Sequence, residues 1–210
     1  MHRRAAETRE HILQVAHELF YWQGIRATGV DKVAATAEVA PTTLYRLFDS
    51  KDDLVAAYIA RADAHYREWF TAATIADGRH PRDRILSLFD ALDKQVQPPL
   101  CRGCPFLMTL AEFPDSTLPA HQIAVATKAW VRSQLVLLVV DLATTTRIDD
   151  PAALADQLAL VVEGVYASVA ALGADGPARH ARALAEILLP PAAPTRPATR
   201  RKAPRTRVTR

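Results

Sequence analysis

The chain has 210 residues, of which 50% are hydrophobic and 23% charged, with a formal net charge of +3 and two cysteines. This length can bury a sizeable core in one domain or two small ones, and two cysteines do not make a disulfide framework. The longest apolar run, Leu135 to Val140, is too short to cross a membrane, and the N-terminus does not resemble a signal peptide. We therefore expect a soluble cytoplasmic protein without a membrane partner.

The N-terminal segment predicts two helices that share a small core. Apolar side chains recur at helical spacing across residues 8–23, and Gly24 ends that pattern. Thr28 followed by Asp31 has the form of a capping box, in which the Thr28 hydroxyl accepts a hydrogen bond from a free amide of the first turn. A second helix is therefore predicted to follow Thr28.

A turn at residues 38–40 leads into a third helix, for which Pro41 suits the first position. Two helices joined by so short a turn form the unit that places a helix in the DNA major groove. The large apolar residues of 41–48 fall on one side, and a second capping box at 50–53 would aim Lys51 at a phosphate. The residues predicted to contact DNA are Arg26, Thr28, Pro41, Thr42, Thr43, Tyr45, Arg46 and Lys51.

This pattern resembles the N-terminal domain of TetR/AcrR-type bacterial transcriptional regulators across residues 8 to about 59. The elements that carry the resemblance are Leu19-Phe20, Gly24, Thr28, Val33-Ala34, Ala37, Val39, Thr43-Leu44-Tyr45-Arg46, Phe48 and Ser50-Lys51. It implies a homodimer that binds a near-palindromic DNA operator, acts as a repressor, and is released by a small-molecule effector. Two positions depart from the family: Glu38 stands where glycine is usual, and Ala40 where serine is usual. A left-handed Glu38 would cost about 1 kcal/mol, and Ala40 is a poor helix cap.

The charge is unevenly distributed along the chain. Residues 1–51 hold seven Lys or Arg and six Asp or Glu, residues 52–194 hold 12 and 17, and residues 195–210 hold seven and none. The DNA-binding unit is therefore nearly neutral, so its phosphate contacts must come from individually placed side chains. The acidic middle would repel DNA and help to orient the molecule.

Helical patterns alternate with proline and glycine over the rest of the chain, and no strand pattern appears. A long helix over residues 53–75 is predicted to connect the first domain to helices at 81–96, 105–112, 119–145, 151–172 and 177–189. Proline stands at or near the start of the later ones. We expect an all-α protein of about nine helices, with a helix-turn-helix DNA-binding domain at 1–51 and a helical sensor and dimerisation domain at 52–189.

The last two predicted helices carry a wide apolar band interleaved with small residues, which let helices approach closely. The resemblance favours a dimer interface, whereas the pattern alone also fits an internal core. The residues predicted for the interface are Leu158, Val161, Val162, Val165, Val169, Leu184 and Leu188.

The middle of the chain is predicted to hold a ligand pocket, because large apolar side chains concentrate there and such linings are usual for small-molecule sites. The predicted lining is Trp69, Phe70, Phe89, Cys104, Phe106, Met108, Phe113 and Trp130. A pocket lined in this way would take a largely apolar effector. The alternative is that these residues are ordinary core. No cofactor is expected.

The segment Cys101-Arg102-Gly103-Cys104-Pro105-Phe106 resembles an Arg-Gly-Cys-Pro-Phe run in the sensor domain of one TetR-type subgroup. The cysteines can be structural or pocket-lining, can form a redox switch, or can supply two metal ligands. Cys104 is predicted at a helix N-terminus, where the helix dipole lowers a thiol pKa. No histidine has metal-site spacing to this pair, so no metal is expected.

The sequence bears on two further classes of function. No phosphate-binding loop, nucleophile elbow or metalloprotease motif is present, so an enzyme is not expected. Residues 190–210 form a proline-rich basic tail, predicted to be disordered because it cannot bury enough apolar surface. Three roles are open for the tail. It can add sequence-independent phosphate contacts to a specific regulator, it can be the main DNA-binding element of an architectural protein, or it can have no role.

Overall fold

The computed structural model describes residues 2–97, 101–173 and 175–191, with side chains from residue 5 onward. These residues form nine α-helices and one 3₁₀ helix without strands, which confirms the predicted all-α fold. The α-helices are α1 (His2–Gln23), α2 (Val30–Thr36), α3 (Pro41–Leu47), α4 (Lys51–Ala73), α5 (Pro81–Gln95), α6 (Pro105–Glu112), α7 (Pro119–Ala143), α8 (Pro151–Leu172) and α9 (Ala181–Leu188), and the 3₁₀ helix is Pro177–His180. The basic tail lies outside the described residues, apart from Pro190 and Pro191.

Helices α1 to α3 form a small unit around fully buried aromatic and aliphatic side chains. Ile12 and Phe20 of α1 meet Val33 of α2 and Leu44 of α3 in one core, and Phe48 closes it. Burial of these side chains fixes the position of α3, because a helix this short is not stable on its own.

The turn between α2 and α3 has the two features that its sequence suggested. Glu38 has a φ of 54°, in the left-handed region that favours glycine. Ala40 is the N-cap of α3 and provides no side-chain hydrogen bond. The amide of Val39 donates to the carbonyl of Ala34 at 3.0 Å, so backbone bonding holds the turn closed.

The capping box predicted at Thr28 is wrong. Gly29 is the N-cap of α2 and no side chain caps that helix. The Thr28 hydroxyl instead donates to the Gly24 carbonyl at 2.8 Å, and Thr28 is only 1% exposed. Its side chain closes the loop after α1, because a buried hydroxyl needs a nearby acceptor.

The remaining helices form one core, with α7 packed against α4, α6 and α8. The Ser50 Oγ accepts from the Asp53 amide at 3.1 Å, which confirms Ser50 as the N-cap of α4. The Asp53 carboxylate accepts from the Asp49 amide at 3.3 Å rather than from Ser50, so the second half of the capping box is replaced. Helices α6 and α8 have the predicted bounds, and α7 ends two residues early at Ala143. The last predicted helix is instead the 3₁₀ helix followed by α9.

Helices α7 and α8 are each long and apolar enough, by length and composition alone, to cross a membrane. In this fold they pack against each other and contribute Leu135, Val139, Leu158 and Val162 to the core. Core helices of soluble proteins pass the same length and composition criteria, so this feature is weak support for a membrane location.

Candidate DNA-binding surface and effector cavity

Helix α3 presents polar side chains outward from the N-terminal unit. Pro41, Thr42, Tyr45 and Arg46 are exposed, and Thr43 is half-buried. Tyr45 is 49% exposed although it is a large aromatic residue. Hydroxyl, phenol and guanidinium groups on one helix face are the donors that proteins direct at base edges and phosphates.

The flanking predicted contacts are arranged differently. The Lys51 ammonium donates to the Arg26 carbonyl at 3.4 Å, so Lys51 lies at the start of α4 beside the loop after α1. Arg26 Nε donates to the Glu112 carbonyl at 2.5 Å, and its guanidinium lies 5.2 Å from the Phe113 ring centroid. Arg26 is thus bound to the sensor domain, and the prediction of Thr28 as a DNA contact is wrong because that side chain is buried.

The C-terminal end of α6 is docked onto the N-terminal unit through Glu112. Its carboxylate accepts from the backbone amides of Ile25 at 3.1 Å and Arg26 at 2.6 Å. These charge-assisted bonds join the loop after α1 to the sensor domain.

The N-terminal end of α6 is docked onto α1 through Tyr21. The Tyr21 hydroxyl accepts from the amides of Arg102 at 2.7 Å and Gly103 at 3.2 Å, and donates to the Gly103 carbonyl at 2.8 Å. The Arg102 guanidinium donates to the Tyr21 carbonyl at 2.7 Å. Burial raises the pKa of Tyr21 to about 12, so the phenol remains a donor at neutral pH.

Glycine is required at position 103 for two reasons. Its φ of 138° lies in a region that other residues rarely adopt, and a Cβ there would approach the Ala170 Cβ to 3.2 Å. The Arg102–Gly103 loop therefore packs closely against α8 while it binds Tyr21.

A cavity of about 350 Å³ lies between α1, α4, the segment at 101–106 and α8. This volume falls in the usual range for small-molecule sites. We name it the interdomain cavity, because residues of the DNA-binding unit form part of its wall. Its lining is His17, Tyr21, Arg61, Ala62, His65, Tyr66, Trp69, Gln95, Cys101, Gly103, Pro105, Phe106 and Tyr166.

Of the predicted pocket residues, Trp69 and Phe106 line this cavity and the others do not. Phe70 and Cys104 are buried core, Phe89 borders a separate cleft, and Phe113 lies under Arg26. Trp130 and Met108 also lie outside the cavity. The Trp130 ring centroid lies 5.4 Å from that of Phe70 and beneath the Arg67 guanidinium, and Met108 is half-buried beside Gly103.

The cavity is more polar than its sequence suggested. Tyr21, Tyr66 and Tyr166 come from three different helices, and the Tyr166 hydroxyl donates to Gln95 Oε1 at 2.7 Å. Burial raises the pKa of Tyr66 and of Tyr166. No local pattern in the sequence indicates this group of tyrosines, because only tertiary packing brings α1, α4 and α8 together.

The two cysteines are free thiols in different surroundings. Cys104 is the N-cap of α6 as predicted, but it is buried, and that burial raises its thiol pKa. The expectation of a lowered thiol pKa is therefore wrong, since desolvation outweighs the helix dipole and the nearby Lys128 ammonium. Among the described residues, no cluster of three or more His, Cys, Asp or Glu could hold a metal ion.

The apolar band of α8 is divided between core and surface. Leu158, Val162, Val165 and Val169 are buried within the protomer, so they are wrong as free interface residues. Val161 and Leu188 are half-buried and Leu184 is exposed. The surface instead carries Leu160, Leu172, Leu184 and Ile187, with exposures of 71%, 64%, 45% and 79%.

A groove runs along this surface between α8 and the C-terminal segment. Its volume is about 420 Å³, and its lining is Leu160, Val161, Gly164, Val165, Ser168, Pro177, Ala178, His180, Ala181 and Leu184. Gly164 and Ser168 keep the floor low enough for another helix to approach. We name the exposed and half-buried residues of this lining, with Leu172 and Ile187, the α8–α9 face, and the buried Val165 is not part of it.

A helix-turn-helix unit with a polar recognition face, docked on a helical domain that encloses a cavity, defines a DNA-binding transcriptional regulator. The family model described as "Bacterial regulatory proteins, tetR family" matches residues 12–58, and "Tetracyclin repressor-like, C-terminal domain" matches residues 81–185. The chain belongs to the TetR family of bacterial transcriptional regulators, which are not enzymes.

Similar proteins support the same assignment along most of the chain. The HTH-type transcriptional regulator YjdC of Escherichia coli is 26% identical over 181 residues, covering 86% of this chain and 93% of YjdC. The HTH-type transcriptional repressor NemR of Escherichia coli is 30% identical over 110 residues, covering 52% and 55%. The crystal structure of SCO4454, a TetR-family regulator from Streptomyces coelicolor, has a TM-score of 0.80 at 28% identity and covers 87% of this chain and 94% of SCO4454.

Proposed function

We propose that the protein is a homodimeric, cytoplasmic repressor that inserts α3 of each protomer into the major groove of a near-palindromic operator. The observation that carries the proposal is the exposed polar face of α3, fixed by the buried Leu44 and Phe48. Thr42, Thr43 and Arg46 are assigned to bases or flanking phosphates, and Tyr45 to the phosphate backbone. The relative NemR is named a repressor, which supports that sign of regulation.

A second copy of the chain is the proposed occupant of the α8–α9 face. Large aliphatic side chains as exposed as Leu160 and Ile187 are costly on a monomer, and a contiguous apolar patch marks an interaction site. A symmetric dimer also matches a near-palindromic operator, because it places two recognition helices about one helical turn of DNA apart, one for each half-site.

Release from DNA is assigned to a small ligand in the interdomain cavity. The ligand must prefer the conformation that cannot bind the operator, because equal affinity for both conformations would shift nothing. Both docking points of α6, at Tyr21 and at Glu112, adjoin the DNA-binding unit. A ligand that shifts α6 or α4 therefore changes the pose of that unit and the spacing of the recognition helices.

The test is selection of bound fragments from genomic DNA with the purified full-length protein, followed by footprinting. We expect one enriched motif with two inverted half-sites whose centres lie about 10 base pairs, or a multiple, apart. The Arg46→Ala variant should lose affinity for that motif by about 1–3 kcal/mol while its residual binding to unrelated DNA stays similar. Enrichment without a motif, or a motif without symmetry, would contradict the proposal.

A further inference from the structure

The charge of the interdomain cavity is one-sided. Arg61, His17 and His65 lie in its wall, and none of the described residues that line it is Asp or Glu. A cation would meet no carboxylate in this wall, whereas an anion would meet a guanidinium and two imidazoles. The Arg61 guanidinium also pairs with Glu10, which lies outside the wall.

Arg61 still has hydrogen-bonding capacity for a ligand. Its side chain is 18% exposed and bonds Glu10 at 2.7 Å and Gln14 at 2.8 Å. A guanidinium carries five N–H donors, so these two partners leave donors unused. The planar group is suited to bidentate binding of a carboxylate.

The surroundings of His17 favour its neutral imidazole, whereas a bound anion would favour the protonated form. It stacks on Tyr21 with ring centroids 5.6 Å apart, and no hydrogen bond to its imidazole is found within the described residues. Burial lowers its pKa, Arg61 and His65 lower it further, and Glu18 opposes them. The groups facing it are Arg61, His65 and the Tyr58 ring on α4, Glu18 and Tyr21 on its own helix, and Cys101 across the cavity.

Aromatic side chains form the rest of the wall. Tyr66 lies 5.1 Å from Trp69 and 5.7 Å from Phe106, measured between ring centroids. Trp69 is half-buried, so part of its indole faces the cavity. Such a wall favours a flat, unsaturated ligand body, because aromatic pairs gain more than area burial alone provides.

We propose that the interdomain cavity binds a planar aromatic acid, with its ring against Trp69 and Tyr66 and its anionic group at Arg61 and His17. This inference deepens the proposed function and rests on it for the effect on DNA. Because His17 and Tyr21 belong to α1, the ligand contacts the DNA-binding unit itself as well as α4. An anion at His17 disturbs the packing between α1 and α4, and the Tyr21 bonds to Arg102 and Gly103 lie beside it.

Naphthalene-2-carboxylate is a suitable probe, and naphthalene-2-carboxamide is its neutral control of the same shape. Binding to the full-length protein is measured by tryptophan fluorescence and calorimetry. We expect the carboxylate to bind about ten-fold more tightly than the amide, the difference of one charge-assisted hydrogen bond. Binding should take up protons and weaken as pH rises, because the anion raises the pKa of His17 in the complex.

Two variants and one control locate the anion site. Arg61→Gln and His17→Gln should each reduce the carboxylate preference to less than about three-fold, since each removes one charge-assisted contact. The control variant Arg132→Gln, which breaks an exposed ion pair with Asp156, should retain the ten-fold preference for the carboxylate. His17→Gln leaves the Arg61 bonds to α1 intact, so it tests the site even if Arg61→Gln does not fold.

Operator affinity without a probe is measured in parallel, so that the two proposals fail separately. If the operator binds normally but the amide or a naphthylmethyl-trimethylammonium probe binds as tightly as the carboxylate, the aromatic-acid inference is wrong and the proposed function stands. If no operator binds, the proposed function fails whatever the cavity binds. Carboxylate preference that survives both variants also overturns the inference.

Discussion

Replacing Glu38 by glycine should stabilise the protein, because the wild-type residue holds a left-handed backbone. Its φ is 54°, and within the described residues the Glu38 side chain makes no hydrogen bond or ion pair that the substitution would remove. Relief of the left-handed strain contributes about 1–2 kcal/mol, and the added freedom of glycine in the unfolded chain takes back about 0.5–1 kcal/mol. At the midpoints of these ranges the net gain is about 0.75 kcal/mol, which raises Tm by roughly 1.5–3 °C for a chain of this length.

Differential scanning calorimetry on the purified protein measures this shift, with Glu38→Ala as the matched control. Alanine removes the same charge and most of the same side chain but keeps the Cβ that makes the left-handed region unfavourable. Its Tm should stay at or below that of the wild type. Equal Tm values for the glycine and alanine variants would refute the strain argument and assign any change to charge.

Three further outcomes follow from named contacts. Ile187→Glu should convert the proposed dimer to a monomer in sedimentation velocity, whereas Ile75→Glu, at an exposed apolar site outside the α8–α9 face, should not. A dimer that survives Ile187→Glu would remove that face from the interface. Thr28→Val should lower the free energy of unfolding by about 1 kcal/mol in urea titrations, because the variant loses the buried hydrogen bond to Gly24. If the variant instead keeps its stability but binds the operator more weakly at low temperature, Thr28 is a DNA contact after all. Lys51→Ala should weaken binding to all sequences alike and reduce the salt slope by about one per protomer, and unchanged affinity at low salt would refute its phosphate role.

Local signals in the sequence predicted the helices well. Proline at the first position located the starts of α5, α7 and α8, whereas the long helix predicted from residue 53 begins at Lys51, directly after the Ser50 cap. The segment 177–189 is predicted as one helix because Pro177 suits a helix start and apolar residues at helical spacing follow from Ala181. The structure divides it at His180, where the 3₁₀ helix ends and α9 begins.

The sites were predicted less completely, because they depend on how the helices pack. The apolar band of α8 is wider than one face, and periodicity cannot say which part meets α7 and which part faces outward. Leu158 proved to be core and Leu160 exposed. Similarly, Tyr21 lies in the first domain by sequence, and nothing near it indicates its bonds to a loop about eighty residues later.

Helix α6 has eight residues, and at 1.5 Å per residue it measures about 12 Å. Its first turn borders the cavity through Phe106, and its last residue, Glu112, holds the loop that leads into the helix-turn-helix. A single inserted residue would rotate Glu112 by about 100° and break that attachment, whereas substitutions along the cavity side would leave it intact. Substitutions in the cavity wall can thus change the chemistry that the cavity recognises, while the length of α6 is constrained by its two attachments to the DNA-binding unit.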